Sequence, residues 1–383
     1  MNMSSTMLAP RAEGRRPVVG YVFTLNRRPG AQSPQSTPSN LFWGALELAE
    51  AGYQVEHFYP SSYVRGLLAR SRFAAYFIFL VKARQELAEC DVLYVSAHNV
   101  ILAAALGKFL GVVKPELLVV QGAVHIGLPR GGWRRPFLRV LDRWALKKAA
   151  ITLYLTAEEA RLARRHAGLE DKKVGWIRFG VDAGFYQESA ETKDNCIIAI
   201  GNDGNRDWPI LSEIATRLPD VSFKVVTQDA RIRRFSFPGN VEVCTGLDLA
   251  RSKILLARAR GLLLATKPNL HFSGMTTVMN AMLVGTPVVL DEAEALPDYF
   301  LRPGGNCLAF KRGDAGAAVA CLRRLFDDAG LWRQLREEGL LMREAFGMKA
   351  FGATLARHVE NIAAGKANRA PALEVTAQPE IST

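Results

Sequence analysis

Residues 271–290 read HFSGMTTVMNAMLVGTPVVL. A polar, glycine-bearing loop (His271, Ser273, Gly274, Thr276, Thr277) runs into a short apolar helical pattern of Val278, Met279, Ala281 and Met282. Gly285-Thr286-Pro287 and a strand-like run follow. Glycine just past a helix supplies a left-handed turn, and proline forbids the helix from continuing. Loop, helix, turn and strand in so few residues make an α/β unit. Its helix N-terminus, with free backbone N–H groups and two threonine hydroxyls, suits the phosphates of a nucleotide. The same residues equally serve a purely structural crossover.

Outward from that unit the alternation repeats. Upstream, Cys196 to Ile200, Val221 to Val226, Asn240 to Cys244 and Gly261 to Ala265 read as strands, with helices over Pro209–Leu218 and Leu249–Arg258. Proline opens the first of these helices at its favoured position. Nearer the N-terminus, 17–23, 53–59, 91–96, 116–121, 150–155 and 174–179 form a second series of strands. A helix is expected from Leu41 to Ala51, stopped by Gly52, and Thr156 caps another. The polar, aperiodic stretch GVDAGFYQESAETKDN separates the two series. These patterns divide the chain into a mobile start (1–16), a first α/β domain (17–180), a linker (181–195), a second α/β domain (196–346), a last helix (347–365) and a disordered tail (366–383). Two doubly wound domains in tandem place a ligand cleft between the carboxyl edges of two sheets.

The 383 residues carry 49 Lys plus Arg against 37 Asp plus Glu, a net charge of +12. That excess favours an anionic partner. No zinc-knuckle spacing or aromatic-basic platform points to nucleic acid, which is therefore not expected as a partner. Five widely spaced cysteines read as reduced core thiols rather than as a disulfide framework or a metal site. The first residues lack the apolar core of a signal peptide, and no segment reaches the roughly 20 apolar residues of a membrane span. A cytoplasmic location is the expectation.

Several segments, in order, resemble the retaining glycosyltransferases of family 4, which have the GT-B architecture of two Rossmann-like domains facing across a cleft. FGVDAGFY, with Gly180, Val181, Asp182 and Tyr186, is similar to the family's GVD-x-x-x-F; IAIGNDGNRDW to its glycine loop; SGMTTVMNAMLVGTPVV to its SGxxTxxEAMAxGxPVV; and RPGGNCLAF to a later glycine-asparagine segment. The resemblance implies a nucleotide-sugar donor of UDP or GDP type on the second domain and an acceptor on the first. It implies transfer with retention, with no cofactor and no metal, and a C-terminal helix that returns to the first domain. It places Gly201 and Asn202 beside the donor, where a side chain would block approach to the phosphates. Arg206 and Lys267 become the cations for the leaving diphosphate, whose charge grows as the glycosidic bond breaks. Ser273, Gly274, Thr276 and Thr277 join them, and His125 in GAVHIG falls where the family places a histidine facing the sugar. His98 is a second candidate on that side.

One position departs from the family pattern. Asn280 stands where a glutamate binds the ribose hydroxyls, and Phe272 or Ser273 stands near the companion glutamate. An amide oxygen still accepts from a hydroxyl, but less strongly than a carboxylate. Three readings follow: a glycosyltransferase of glycan or polysaccharide biosynthesis, a nucleotide-sugar epimerase, and a non-catalytic GT-B subunit that partners an active enzyme. Two basic-apolar segments, Tyr63–Arg84 and Arg130–Lys148, further suggest an enzyme peripheral to the inner face of a membrane, meeting anionic headgroups and a lipid-linked acceptor.

Overall fold

The computed structural model describes residues 15–23, 37–64, 71–120, 135–188, 193–269 and 272–365, with backbone alone at 135–139 and 166–167. The first half supplies strands β1 (Val18–Val22), β2 (Gln54–Phe58), β3 (Val92–Val95), β4 (Glu116–Val120), β5 (Ile151–Tyr154) and β6 (Val174–Trp176). Its helices are α1 (Ala45–Glu50), α2 (Arg72–Lys82), α3 (Arg84–Leu87), α4 (His98–Phe109), α5 (Arg135–Lys147) and α6 (Ala157–Ala167). The second half supplies β7 (Asp194–Ile200), β8 (Ser222–Val226), β9 (Val241–Cys244), β10 (Ala259–Leu264), β11 (Val288–Asp291) and β12 (Leu308–Phe310). With them come α7 (Trp208–Arg217), α8 (Leu249–Arg258), α9 (Met275–Leu283), α10 (Ala315–Asp327), α11 (Ala329–Leu340), α12 (Arg343–Phe346) and α13 (Met348–Ala363).

Each half is one parallel sheet, ordered β2-β1-β3-β4-β5-β6 and β12-β11-β10-β7-β8-β9. The edge strands β2 and β9 are largely exposed or half-buried, whereas strands inside the sheets are short apolar runs such as VLYV, ITLY and VVLD, buried along their whole length. That is the pattern of parallel strands covered on both faces by crossover helices. In both sheets the chain reverses its direction of growth beside the first strand, between β1 and β3 and between β7 and β10. Loops leaving the carboxyl ends of strands at such a switch point diverge and leave a crevice.

The two sheets share one apolar cluster. It runs from Tyr21 and Tyr94 through Phe179, Val181, Met348 and Phe351 to Met282 and Leu264. The last helix, α13, packs on α1, β3 and β4 of the first sheet. Val181 N donates to Phe346 O at 2.8 Å, so both crossings between the halves lie side by side.

Two local expectations need correction. The helix anticipated over Leu41–Ala51 is a 3-10 turn at Ser39–Phe42 followed by α1, because Trp43 and Gly44 both take left-handed backbone (φ 55° and 85°). Gly44 lets α13 approach: a Cβ there would stand 2.9 Å from Leu355 and Phe351 side-chain atoms. Within Tyr63–Arg84, one of the two segments expected to face a membrane, the apolar run Phe73–Val81 turns Ala75, Tyr76, Phe79 and Leu80 into the core as α2 packs on α4. Among the described residues no helix is long and apolar enough to cross a membrane.

Candidate functional site

The two glycine-bearing loops singled out in the sequence leave the two strands that flank the switch point of the second sheet. One follows β7 (residues 201–207) and the other follows β10 (265–274). They are zipped together by main-chain bonds, Asp207 N to Ala265 O at 3.0 Å and Lys267 N to Asn205 O at 2.8 Å. Arg206 lies between them, only 4% exposed. Its Nε donates to Ile200 O at 2.9 Å, and Nη1 donates to Ser273 Oγ and to Asp203 Oδ2, both at 3.3 Å. Ser273 Oγ donates in turn to Asp203 Oδ2 at 3.0 Å. Burial pulls the guanidinium's pKa below its ordinary value, opposed by the nearby Asp203 and Asp291 carboxylates.

Glycine is required twice by this brace. A Cβ at Gly201 would sit 2.2 Å from Arg206 Nε, and one at Gly274 would meet Leu264 at 2.5 Å and Arg206 Nη2 at 3.1 Å. Gly274 also has φ 92°, where an L side chain is strained. It is the N-cap of α9, and no side chain caps that helix end. Thr276 and Thr277 stand in its first turn, half-buried, so backbone N–H groups and two hydroxyls concentrate positive potential there.

The remaining anticipated residues fall around this pair of loops. Asn202 Oδ1 accepts from Gln228 N at 2.7 Å, holding the glycine loop against the β8 exit. Lys267 is half-buried, its Nζ 3.4 Å from Gly204 O. Asn280 lies further along α9, and its Oδ1 is buried without a hydrogen-bond partner among the described residues. An orphan buried acceptor costs about 1–3 kcal/mol unless something donates to it. On the first sheet, His98 opens α4 and pairs with Asp142 through Nδ1 at 3.2 Å. His125 and His271 lie outside the described residues.

A second set of polar residues lies beside these, of which sequence reading missed Glu158, Asn269 and Arg312. A cavity of about 170 Å³ separates Thr156 and Glu158 of the first sheet from Asn269, Ser273, Glu294 and Arg312 of the second. Its floor is a buried network in which Asp291, 3% exposed, accepts from Thr266 N at 3.0 Å, Thr266 Oγ1 at 2.8 Å and Arg312 Nε. Asn269 donates to Lys267 O at 2.7 Å, and among the described residues its own Oδ1 is a second acceptor without a donor. The pairing of β11 with β10 and with β12 brings the positions of the second sheet together, so no local spacing announces them.

The cleft is held by a clamp from the second half. Tyr299 OH donates to Leu155 O at 2.8 Å and accepts from Phe179 N at 3.1 Å. Asp298 accepts from Ala157 N at 2.7 Å, and its carbonyl accepts from Arg178 Nε at 2.6 Å. Asp298 is therefore engaged at the start of α6.

No family profile and no curated protein sequence matches this chain. Solved structures match its fold. Sucrose-phosphate synthase from Thermosynechococcus elongatus superposes with a TM-score of 0.74 at 15% identity, over 91% of this chain and 100% of that one. Anabaena HepE, in complex with UDP and glucose, gives 0.69 at 13% identity, over 90% and 100%. A UDP-forming α,α-trehalose-phosphate synthase from Burkholderia vietnamiensis gives 0.65 at 13%, over 92% and 98%. At these identities the likeness is one of architecture: the chain has the GT-B fold, as its two parallel six-stranded sheets independently indicate.

Proposed function

We propose that this protein is a retaining glycosyltransferase that uses a UDP-sugar donor and a glycan or lipid-linked acceptor. The observation that carries the reading is the braced pair of glycine loops at the switch point, with the uncapped α9 terminus between them and Lys267 at the rim. In this reading the diphosphate lies against the first turn of α9 and draws Lys267, whose charge stabilises the departing UDP without a metal. Arg206 positions both loops from beneath. Asn280 Oδ1 gains its missing donor from a ribose hydroxyl. The sugar occupies the adjoining cavity, where Asn269, Glu294 and Arg312 meet its hydroxyls. His125 is assigned to the acceptor side of the sugar by the sequence resemblance alone. A phosphate oxygen of the leaving group takes the acceptor's proton on the face it leaves, which preserves anomeric configuration. HepE, whose structure holds UDP and glucose, favours uridine over guanosine as the base.

A thermal-shift panel of UDP-, GDP-, ADP- and TDP-sugars tests this directly. A ligand that binds only the folded state stabilises it by about 2.7 kcal/mol at about 100 times its Kd. UDP and a UDP-sugar are expected to raise the melting temperature, and Lys267→Ala is expected to keep its fold but lose both that shift and donor hydrolysis. A panel with no shift overturns the donor site. A UDP shift with no hydrolysis or transfer from any UDP-sugar indicates instead a nucleotide-binding subunit without catalysis, the reading that Asn280 in place of an acid favours.

A further inference from the structure

We propose that the protein docks on an anionic phospholipid surface through the end of α4 and the exposed side of α5. This stands on the first sheet alone and does not depend on the nucleotide-sugar reading.

Helix α4 is buried along Val100–Ala105, yet its last turn emerges with Phe109 62% and Leu110 55% exposed. On the neighbouring helix Val140 is 67% exposed. Phe109 meets Trp144 edge-on with ring centroids 6.0 Å apart, and Lys148 Nζ lies 5.4 Å from the Phe109 centroid. Val140, Trp144 and Lys148 follow at four-residue steps and so share one side of α5 and its extension. The three large apolar side chains therefore belong to one continuous patch, whereas single exposed apolar residues on a surface need no explanation.

Its border is cationic. Arg143 and Lys147 are exposed on α5, and Lys114 is exposed just beyond the Leu110–Gly111 turn. The nearby acids are engaged: Glu116 with Lys108 at 2.7 Å and Asp142 with His98 at 3.2 Å. An apolar centre within a ring of Lys and Arg matches a headgroup layer, with side chains entering the acyl boundary and cations at the phosphates. A second copy of the chain is a poorer occupant, because a two-fold interface would set these cations against their own symmetry mates. The patch reaches the edge of the sheet opposite the cleft, since α4 runs from the carboxyl end of β3 back toward the start of β4. Lipid contact there leaves the nucleotide site open.

The test is cosedimentation of the full chain with phosphatidylglycerol-containing vesicles and with pure phosphatidylcholine vesicles. Binding to the anionic vesicles only, weakened by salt, is expected. Phe109→Ser with Leu110→Ser should lower the partition at least about tenfold, and Arg143→Glu with Lys148→Glu should abolish it. Both variants should keep the wild-type melting temperature, since Phe109, Leu110 and Arg143 are exposed and Lys148 is only half-buried. Absence of wild-type binding to anionic vesicles overturns the proposal. So does wild-type binding by the folded serine variant, or a wild-type dimer in sedimentation that this variant renders monomeric.

Discussion

Arg206 shows how one buried cation organises two loops, and why its neighbours are glycines. Its Nε–Ile200 and Nη1–Ser273 bonds leave the side chain no room to yield. Gly201→Ala would place a methyl 2.2 Å from Nε and 2.7 Å from Cγ. Overpacking of that kind costs about 1–3 kcal/mol, so thermal denaturation should show a lower melting temperature, and UDP affinity should fall with it. Asn280 makes the opposite case, an acceptor with too few partners. Asn280→Ala removes a buried orphan oxygen and should keep or raise the stability of the free protein, while calorimetry should show UDP binding weakened by about tenfold, the worth of one hydrogen bond. Unaltered UDP affinity in a folded Asn280→Ala protein would end the ribose assignment. Gly201, Ser273 and Gly274 were legible because special backbone and close approach restrict residue type locally. Asp203 and Asn269 were not, since each acquires its meaning from a strand or loop distant in sequence.

Among elements, the strands and most helices could be read from apolar runs and caps. Thr156 accepts from Glu159 N at 3.1 Å, as its position before an amphipathic run implies. The failures have physical causes. An apolar stripe such as Phe73–Val81 has the same period whether it faces a core or a membrane, and only the packing of α2 on α4 separates the two. The break at Trp43 and Gly44 answers a helix some 300 residues later, which no local pattern encodes. The short 3-10 turn Pro297–Tyr299 is similar: one turn of chain joins the halves through Asp298 and a fully buried phenol. Burial drives the Tyr299 pKa above its ordinary value, so the hydroxyl stays neutral and able to donate. Tyr299→Phe strands Leu155 O and Phe179 N, and should cost about 1–3 kcal/mol. Differential scanning calorimetry should record a lower midpoint, by about 1 °C per kcal/mol for a chain of this size, at about 2.1 cal/mol/K of unfolding entropy per residue. An unshifted midpoint would mean the two halves do not rely on this clamp.

At the scale of the molecule, the two sheets are joined where α1, the exit from β6 and α13 meet, and an acid is buried in that junction. Ser39 N donates to Asp182 Oδ2 at 2.8 Å, while the Ser39 side chain bonds Glu47. The Glu47 side chain also fills the space left by Gly352 of α13, where a Cβ would stand 2.4 Å from Glu47 Cβ. Burial raises the Glu47 pKa from 4.5 to about 7, aided by the charges of Glu50 and Asp182 and opposed by its hydrogen bonds. The folded state thus holds this proton more tightly than the unfolded chain does. Its contribution to stability is complete below about pH 4.5 and is lost as pH rises through about 7. Glu47→Gln keeps the shape of the protonated acid and cannot ionise. Urea denaturation across that window should show the wild type losing midpoint relative to the variant as pH rises, with the variant the more stable above pH 7. Parallel curves for the two proteins would show that the junction tolerates the charge, and that the contact between the halves is wetter than its packing suggests.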